Sequence, residues 1–296
     1  MKRTAVVMAL ALAVAQPAIA QNPMENVEIE VQQVGEGLYM LIGRGGNLGL
    51  SVGEDATFLI DDQFAPLTDK IIAAVATVTD RPIDYVLNTH WHFDHTGGNE
   101  NLGDSALIMA HDNVRKRMAA GQFLEAFQMQ IDPAPDVALP ALTFNDTLTL
   151  HANGLTIRGF HIEHAHTDGD TLVHFEEANV VHMGDTFFNG IYPFLDVESG
   201  GDIDGLIEAA DAVLAIADED TNIIPGHGPL ADRDALLGYR AMLSGIRDAV
   251  AKGIAEDMSL EEIQATGPSA PFDAEYGDGF MPPERFVAAV YVSLTD

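Results

Sequence analysis

The segment Thr89-His90-Trp91-His92-Phe93-Asp94-His95 puts three imidazoles and a carboxylate within six consecutive positions, from His90 to His95. Such a density of ligand-type side chains is costly to keep for packing alone. His90 and His92 are two residues apart, so an extended backbone points them the same way. Asp94 and His95 lie just beyond and can turn toward a second point. Neutral imidazole and carboxylate are the donors that zinc accepts in catalytic sites with an open position. The spacing therefore suggests a pair of metal ions, not one. Trp91, between two ligand positions, is expected to point into the core.

The surroundings read as alternating strands and helices. Tyr85-Val86-Leu87-Asn88 is a buried strand ending where the cluster begins, and short strands are expected at 38–42, 49–52 and 57–61. Gly43-Arg44-Gly45-Gly46-Asn47 invites a dinucleotide-loop reading, but the sixth position of G-x-G-x-x-G is Leu48 and no helix pattern follows. A tight hairpin turn is the better account. Apolar residues at helical spacing predict a helix over 67–78, and another begins near Asp112 as its N-cap, after a strand at 106–110. Residues 121–141 carry Met129, Pro133, Pro135 and Pro140 without sustained periodicity, which predicts a loop over one face, with Phe127 and Met129 lining a lid. Strands resume at 148–150, 155–160, 171–175 and 180–182, and helices at about 203–217, 234–252 and 284–294. This order, run twice, predicts an α/β fold, a four-layer αβ/βα sandwich of two sheets flanked by helices.

Lys2 and Arg3, the apolar run 5–15 and Ala18-Ile19-Ala20 together read as a secretory signal peptide over residues 1–20, leaving one catalytic domain over 21–296. A transmembrane anchor needs about 20 apolar residues; this run is shorter and is broken by Gln16-Pro17. A periplasmic or secreted location follows, with no membrane association after cleavage. The chain has 0 cysteines, which removes disulfides, thiolate ligands and a cysteine nucleophile. Its net charge of −32, from 14 basic and 46 acidic residues, argues against a nucleic-acid partner, because phosphate binding requires a basic surface. A small-molecule substrate is the expected partner.

Three later segments place ligand-type residues where a strand runs into a turn: His164-Ala165-His166-Thr167-Asp168-Gly169-Asp170, His182-Met183-Gly184-Asp185-Thr186, and Ile223-Ile224-Pro225-Gly226-His227-Gly228. Strand-end loops on a rigid sheet are where catalytic groups are usually held. With His90-x-His92-x-Asp94-His95, the set His166, Asp185 and His227 resembles the metallo-β-lactamase superfamily in order and spacing, from about residue 30 to 235. The resemblance implies two Zn2+ ions. His90, His92 and His166 would hold the first, Asp94, His95 and His227 the second, and Asp185 would bridge them. Asp94 would also aim the attacking water, a catalytic role. The family's His-Thr pairing favours His166 over His164. Asp168 and Asp170 would either orient His166 or satisfy backbone donors in its turn.

The fold hosts several hydrolyses and does not by itself settle the substrate. The leader and the segment 171–185 look like those of secreted β-lactamases, so β-lactam ring opening is the lead expectation. A lactonase, esterase or thioesterase is the alternative, and a non-catalytic metal-binding protein a more distant one. Two departures stand out. Asp185 occupies the position where some secreted β-lactamases carry a cysteine, and Phe188 stands where they carry a substrate-gripping lysine. A penicillin carboxylate would have to use Arg44, a backbone nest or a zinc. Phe187, Phe188 and Tyr192, with Pro193 and Phe194, are expected to form an apolar substrate wall.

Overall fold

The computed structural model describes residues 24–295. The expected leader at 1–20 lies outside the described residues. The first sheet is built from β1 (Glu30–Gly35), β2 (Leu38–Ile42), β3 (Leu48–Val52), β4 (Thr57–Ile60), β5 (Tyr85–Leu87) and β6 (Leu107–His111). A separate hairpin, β7 (Gln122–Leu124) and β8 (Met129–Ile131), leads to β9 (Leu142–Phe144), which completes the first sheet beside β6. Its first four strands are antiparallel and β4, β5, β6 and β9 are parallel. The second sheet, β10 (Thr147–Ala152), β11 (Leu155–His161), β12 (Thr171–Phe175), β13 (Val180–His182) and β14 (Asn222–Ile224), also ends in a parallel pair. The two sheets thus repeat one plan, antiparallel at one edge and parallel at the other.

Helices cover the outer faces. α1 (Thr68–Val75), α2 (Phe93–Thr96), α3 (Asn99–Leu102) and α4 (Asp112–Ala120) belong to the first half. The second half carries α5 (Ile203–Leu214), α6 (Arg233–Ala255), α7 (Leu260–Ala265), α8 (Asp273–Tyr276) and α9 (Pro283–Ser293). The period-2 alternation of the strands fixes the layers. In β4, Leu59 joins the cluster under α1 with Ile71 and Val75, whereas Phe58 and Ile60 face the other sheet. In the second sheet, Val181 and Ile223 pack under α5 and α6, and Val180 and Ile224 turn inward. Phe58 and Phe175 meet between the sheets edge to face at 6.5 Å. The expected four-layer sandwich is therefore the observed one.

Local expectations need some correction. The helix read over 67–78 is α1, entered by a 3-10 turn at Ala65–Leu67. Asp112 is the first residue of α4 and not its cap; His111 caps it, Nδ1 accepting from the Asn113 N–H at 3.3 Å. Residues 121–141 are not a plain loop but contain the β7–β8 hairpin. The short helices α2, α3, α7 and α8 lie outside the expected ones, although before α7 Ser259 and Glu262 form a capping box, a signal present in the sequence. Among the described residues no helix is long and apolar enough to cross a membrane.

Candidate metal centre

The strand order decides where the ligand-type residues go. β4, β5, β13 and β14 point their C-terminal ends to one edge of the sandwich, and the turn from β11 into β12 opens there too, because β12 runs antiparallel to β13. β5 stops at Leu87, and His92 takes an extended backbone (φ −62, ψ 146) as N-cap of α2. The one-turn helix α2 then swings Asp94 and His95 to a second point. Residues His90, His92, His166 and Asp185 form one group, and Asp94, His95 and His227 another.

In the first group, Nε2 of His90 lies 3.0 Å from Nδ1 of His92, which lies 2.9 Å from Nε2 of His166. Oδ2 of Asp185 stands 3.8 Å from His90 Nε2 and 3.6 Å from His166 Nε2. In the second group, Oδ2 of Asp94 is 3.3 Å from His227 Nε2 and 3.7 Å from His95 Nε2. Asp185 faces this group as well, Oδ1 at 3.0 Å from His95 Nε2 and Oδ2 at 3.4 Å from His227 Nε2. It stands between the two groups, where the resemblance placed it.

The hydrogen bonds on the far side of each ring fix the tautomers. Nε2 of His92 donates to Asp196 at 2.9 Å, and Nδ1 of His166 donates to the Phe194 carbonyl at 2.7 Å. The Thr89 hydroxyl donates to Asp61 at 2.7 Å, so its oxygen accepts from Nδ1 of His90 at 3.0 Å. Nδ1 of His95 donates to the same Asp61 oxygen at 2.7 Å. His90, His92 and His166 are thereby left with lone pairs on the nitrogens that face one another. Three lone pairs about 3 Å apart repel unless a cation lies between them. His95 Nε2 and Asp185 Oδ1 are buried 3.0 Å apart and have no other hydrogen-bond partner among the described residues. The donor set, all imidazole and carboxylate, fits divalent ions of the zinc type, and the outer acceptors are those that ligand histidines normally have.

Titration follows the same division. Burial holds His90 well below the ordinary imidazole range and pushes His166 down to about 4. Burial acts in the same direction on His95 and His227, but carboxylates overcome it. Asp185, Asp94 and Asp61 lift His95, and Asp185 and Asp94 raise His227 to about 9. Asp185 is held well below the carboxylate range against its own burial by His95 and His227.

The loops that carry these ligands are locked together. Gly46, in the β2–β3 hairpin, lies directly against the His95 ring, and a Cβ there would overlap it. Asn47 donates through Nδ2 to the carbonyls of Pro225 and Gly228, both at 2.9 Å, clamping the loop that holds His227. Asp170 takes the backbone N–H groups of His166 and Thr167, so it shapes the turn and does not touch the ring. Asp168 is engaged by Arg117 at 2.7 Å. His164 is exposed, with φ +53 and Nδ1 donating to the Gly200 carbonyl; it stays outside the site.

A cavity of about 220 Å³ opens over the two groups, with His92, Asp94, Asp185 and His227 at its floor. Its walls are Phe64, Phe93, Leu124, Phe127, Phe194 and Phe280. The wall expected from Phe187, Phe188 and Tyr192 is not there. All three are fully buried, at 0 % exposure. Phe188 pairs with His227 in a parallel bridge and stacks on its ring at 5.1 Å, which turns the segment inward. Phe187 packs on Tyr239, and Tyr192 stacks on Phe286 while donating to Asp273 at 2.9 Å. Of the expected lid residues, Phe127 lines the cavity, and Met129 packs beside Trp91, which is buried as expected. Arg44 is exposed and is not part of the wall.

Residues 42–227 match the family described as the metallo-beta-lactamase superfamily. The chain belongs to that superfamily. Within the superfamily it is 30% identical over 169 residues to a hydroxyacylglutathione hydrolase of Polaromonas sp., covering 55% of this chain and 55% of that protein. The chain thus spans only about half of that relative's length. It is 25% identical over 267 residues to the lactamase-like protein aptB of Emericella nidulans, covering 85% of this chain and 73% of that one. Among solved structures, a metallo-beta-lactamase from Pontibacter korlensis aligns with a TM-score of 0.61 at 16% identity, over 73% of this chain and 99% of that chain. The sec-alkylsulfatase Pisa1 from Pseudomonas sp. aligns with a TM-score of 0.68 at 16% identity, over 89% of this chain and 50% of that chain. At such identities these structures speak for the fold alone. The superfamily is hydrolytic, and this member has a His/Asp site that can hold metal ions.

Proposed function

We propose that this superfamily member is an exported hydrolase that holds two zinc ions and cleaves the carbonyl–heteroatom bond of a small molecule, β-lactams among its substrates. The observation that carries the reading is the convergence of lone pairs from His90, His92 and His166, beside the buried His95 Nε2 and Asp185 Oδ1 that face each other at 3.0 Å, at the floor of an open cavity. Bound there, such ions lower the pKa of water toward neutrality and polarise a carbonyl. The chain's own residues do the rest. His90, His92 and His166 would hold one ion, Asp94, His95 and His227 the other, with Asp185 between them. Asp94, 21% exposed at the cavity floor, is the carboxylate positioned to orient an attacking water. No protein nucleophile is required.

The β-lactam part of the reading is supported by the leader-like start and by the segment 171–185. It is limited by the walls, which offer no cation to a penicillin carboxylate. Ring opening is then expected with a high KM, since ground-state binding suffers and the chemistry does not. Purified protein reconstituted with zinc should be offered nitrocefin, a penicillin, an aryl ester, an acyl-homoserine lactone and a thioester, with and without chelator. Chelator-sensitive turnover is expected on at least one, and none on any would leave a metal-holding scaffold. Residues 1–30 fused to a reporter active only outside the cytoplasm test export, which fails if the reporter stays silent.

A further inference from the structure

The cavity walls carry more information than the metal groups do. Beyond the floor, every lining side chain is a hydrocarbon: five phenylalanines and one leucine. No lysine, arginine, serine, threonine, asparagine, glutamine or tyrosine is among them. The aromatic lining starts at the ligands themselves. Phe194 lies 5.7 Å from the His92 ring and 5.8 Å from the His166 ring, and Phe280 lies 6.3 Å from that of His227. Phe127 meets Phe194 edge to face at 5.2 Å, and Phe64 meets Phe93 at 5.6 Å. Phe127 and Phe280 sit at the mouth, 49% and 51% exposed. Large aromatic rings left half in water around a cleft mark a surface that is used for binding.

Charge points the same way. The chain carries −32, so its field repels anions well before contact. No cation lines the cavity walls. Arg117 is held by Asp168, at 2.7 and 2.9 Å, and Arg44 is exposed outside the wall. A carboxylate or sulfate carried by the non-reacting part of a substrate would be desolvated here without a partner. The volume, about 220 Å³, is below the 300–1,000 Å³ of sites for drug-sized ligands.

We infer that the substrate is an uncharged, compact, apolar carbonyl compound: an ester or lactone bearing an aryl or branched alkyl group, which the phenylalanine walls grip while the carbonyl meets the floor. This rests on the hydrolase reading above and narrows it. Anionic substrates, β-lactam free acids and glutathione thioesters included, are the poor ones. Phe280 and Phe127 set this preference from the rim.

A matched pair separates charge from chemistry. Methyl 3-acetoxyphenylacetate and its free acid, 3-acetoxyphenylacetate, share one acetyl ester and differ by one distal negative charge. Phenol release by the zinc-reconstituted protein should show kcat/KM for the neutral ester on the order of 100-fold above that for the acid. Added salt should narrow the gap by raising the rate on the acid alone. In Phe280→Arg, whose side chain starts half-exposed, the acid should gain at least about tenfold, mainly through KM, while the neutral ester loses. An acid handled as well as its ester by the unchanged protein overturns the inference.

A second arm does not depend on turnover. Trp91, the single tryptophan, has its ring 4.7 Å from that of His92 and reports on the cavity floor by fluorescence. Acetophenone should perturb that signal saturably, with and without added zinc, and 4-acetylbenzenesulfonate should not. If neither ester is turned over, the hydrolase reading fails and this arm alone decides. Sulfonate binding as tight as that of the ketone would sink the inference.

Discussion

The carboxylate of Asp61 meets Nδ1 of His95 at 2.7 Å, and the same oxygen takes the Thr89 hydroxyl that steers His90. One buried group at the end of β4 therefore orients a ligand in each metal group. Asp196, by contrast, reaches one of these rings, that of His92, at 2.9 Å, and otherwise accepts from the Ser199 N–H at 3.2 Å. Loss of such outer acceptors typically lowers metal affinity by about 10–100-fold. Asp61→Asn is expected to weaken both equivalents of zinc and Asp196→Asn only one. Asn tolerates the left-handed backbone at this position, φ +60, so the substitution adds no backbone strain. Competition against a chromophoric chelator reads both constants; unchanged affinities in Asp61→Asn would refute the role.

Asp185 is the next test. Its two oxygens reach four imidazoles, from 3.0 Å at His95 to 3.8 Å at His90. Among the described residues no other carboxylate lies within 4.0 Å of imidazoles in both groups. Asp185→Ala should lower bound metal by about one equivalent and turnover by at least about 100-fold, more than the loss of an outer acceptor. Elemental analysis beside kinetics checks this. Full metal content with full activity would show that Asp185 does not bridge.

The legibility of the site tracks how local each signal was. His90, His92, Asp94 and His95 share one strand-end segment, and His166, Asp185 and His227 each follow a strand, so all seven could be picked out before any fold was seen. Asp61 and Asp196 could not. Nothing in the sequence separates them from the other acidic residues except, for Asp61, its place after an apolar strand. The apolar wall was misplaced for a related reason. Contiguity suggested Phe187, Phe188 and Tyr192, yet the bridge of Phe188 to His227 turns that stretch into the core. Of that stretch Phe194 alone reaches the cavity, and the rest of the wall, Phe64, Phe93, Leu124, Phe127 and Phe280, comes from separate segments that the tertiary fold brings together. The sandwich itself was readable because its strand alternation and helix periodicity are repeated twice along the chain.

Gly46 tests the hairpin that the sequence offered as a false nucleotide motif. A Cβ on Gly46 would overlap Cε1 and Nε2 of His95, and Nε2 is the nitrogen that would face an ion. The conflict lies with an aromatic ring pinned by Asp61, not with a flexible side chain, so the ring or the hairpin has to move. Gly46→Ala should lose about 1–3 kcal/mol of stability and most of the second equivalent of zinc, with activity falling in step. Melting followed by circular dichroism, beside metal analysis, separates the two effects. Normal metal content would mean the hairpin yields without cost.

The two metal groups should also differ in their response to pH. In the metal-free chain His90 lies well below the ordinary imidazole range and His166 at about 4, so both are neutral and ready to bind at pH 7. His227, at about 9, and His95, also raised, still carry protons there. Binding an ion at Asp94, His95 and His227 must expel those protons, so its affinity rises with pH until the solution passes the raised values. Between about pH 6 and 8 the second equivalent should gain at least about tenfold per pH unit, more steeply than the first. The sign for stability is opposite. A folded pKa lifted to about 9 gives His227 a stabilising contribution to the metal-free chain that is complete below the unfolded value of about 6.5 and lost as pH rises through 9. Metal-free protein should therefore unfold more easily at pH 9.5 than at pH 7, and bound zinc should remove the difference. Denaturant titrations at both pH values, with and without zinc, check the claim. Equal midpoints in the metal-free samples would show that these histidines are not held protonated by Asp94 and Asp185.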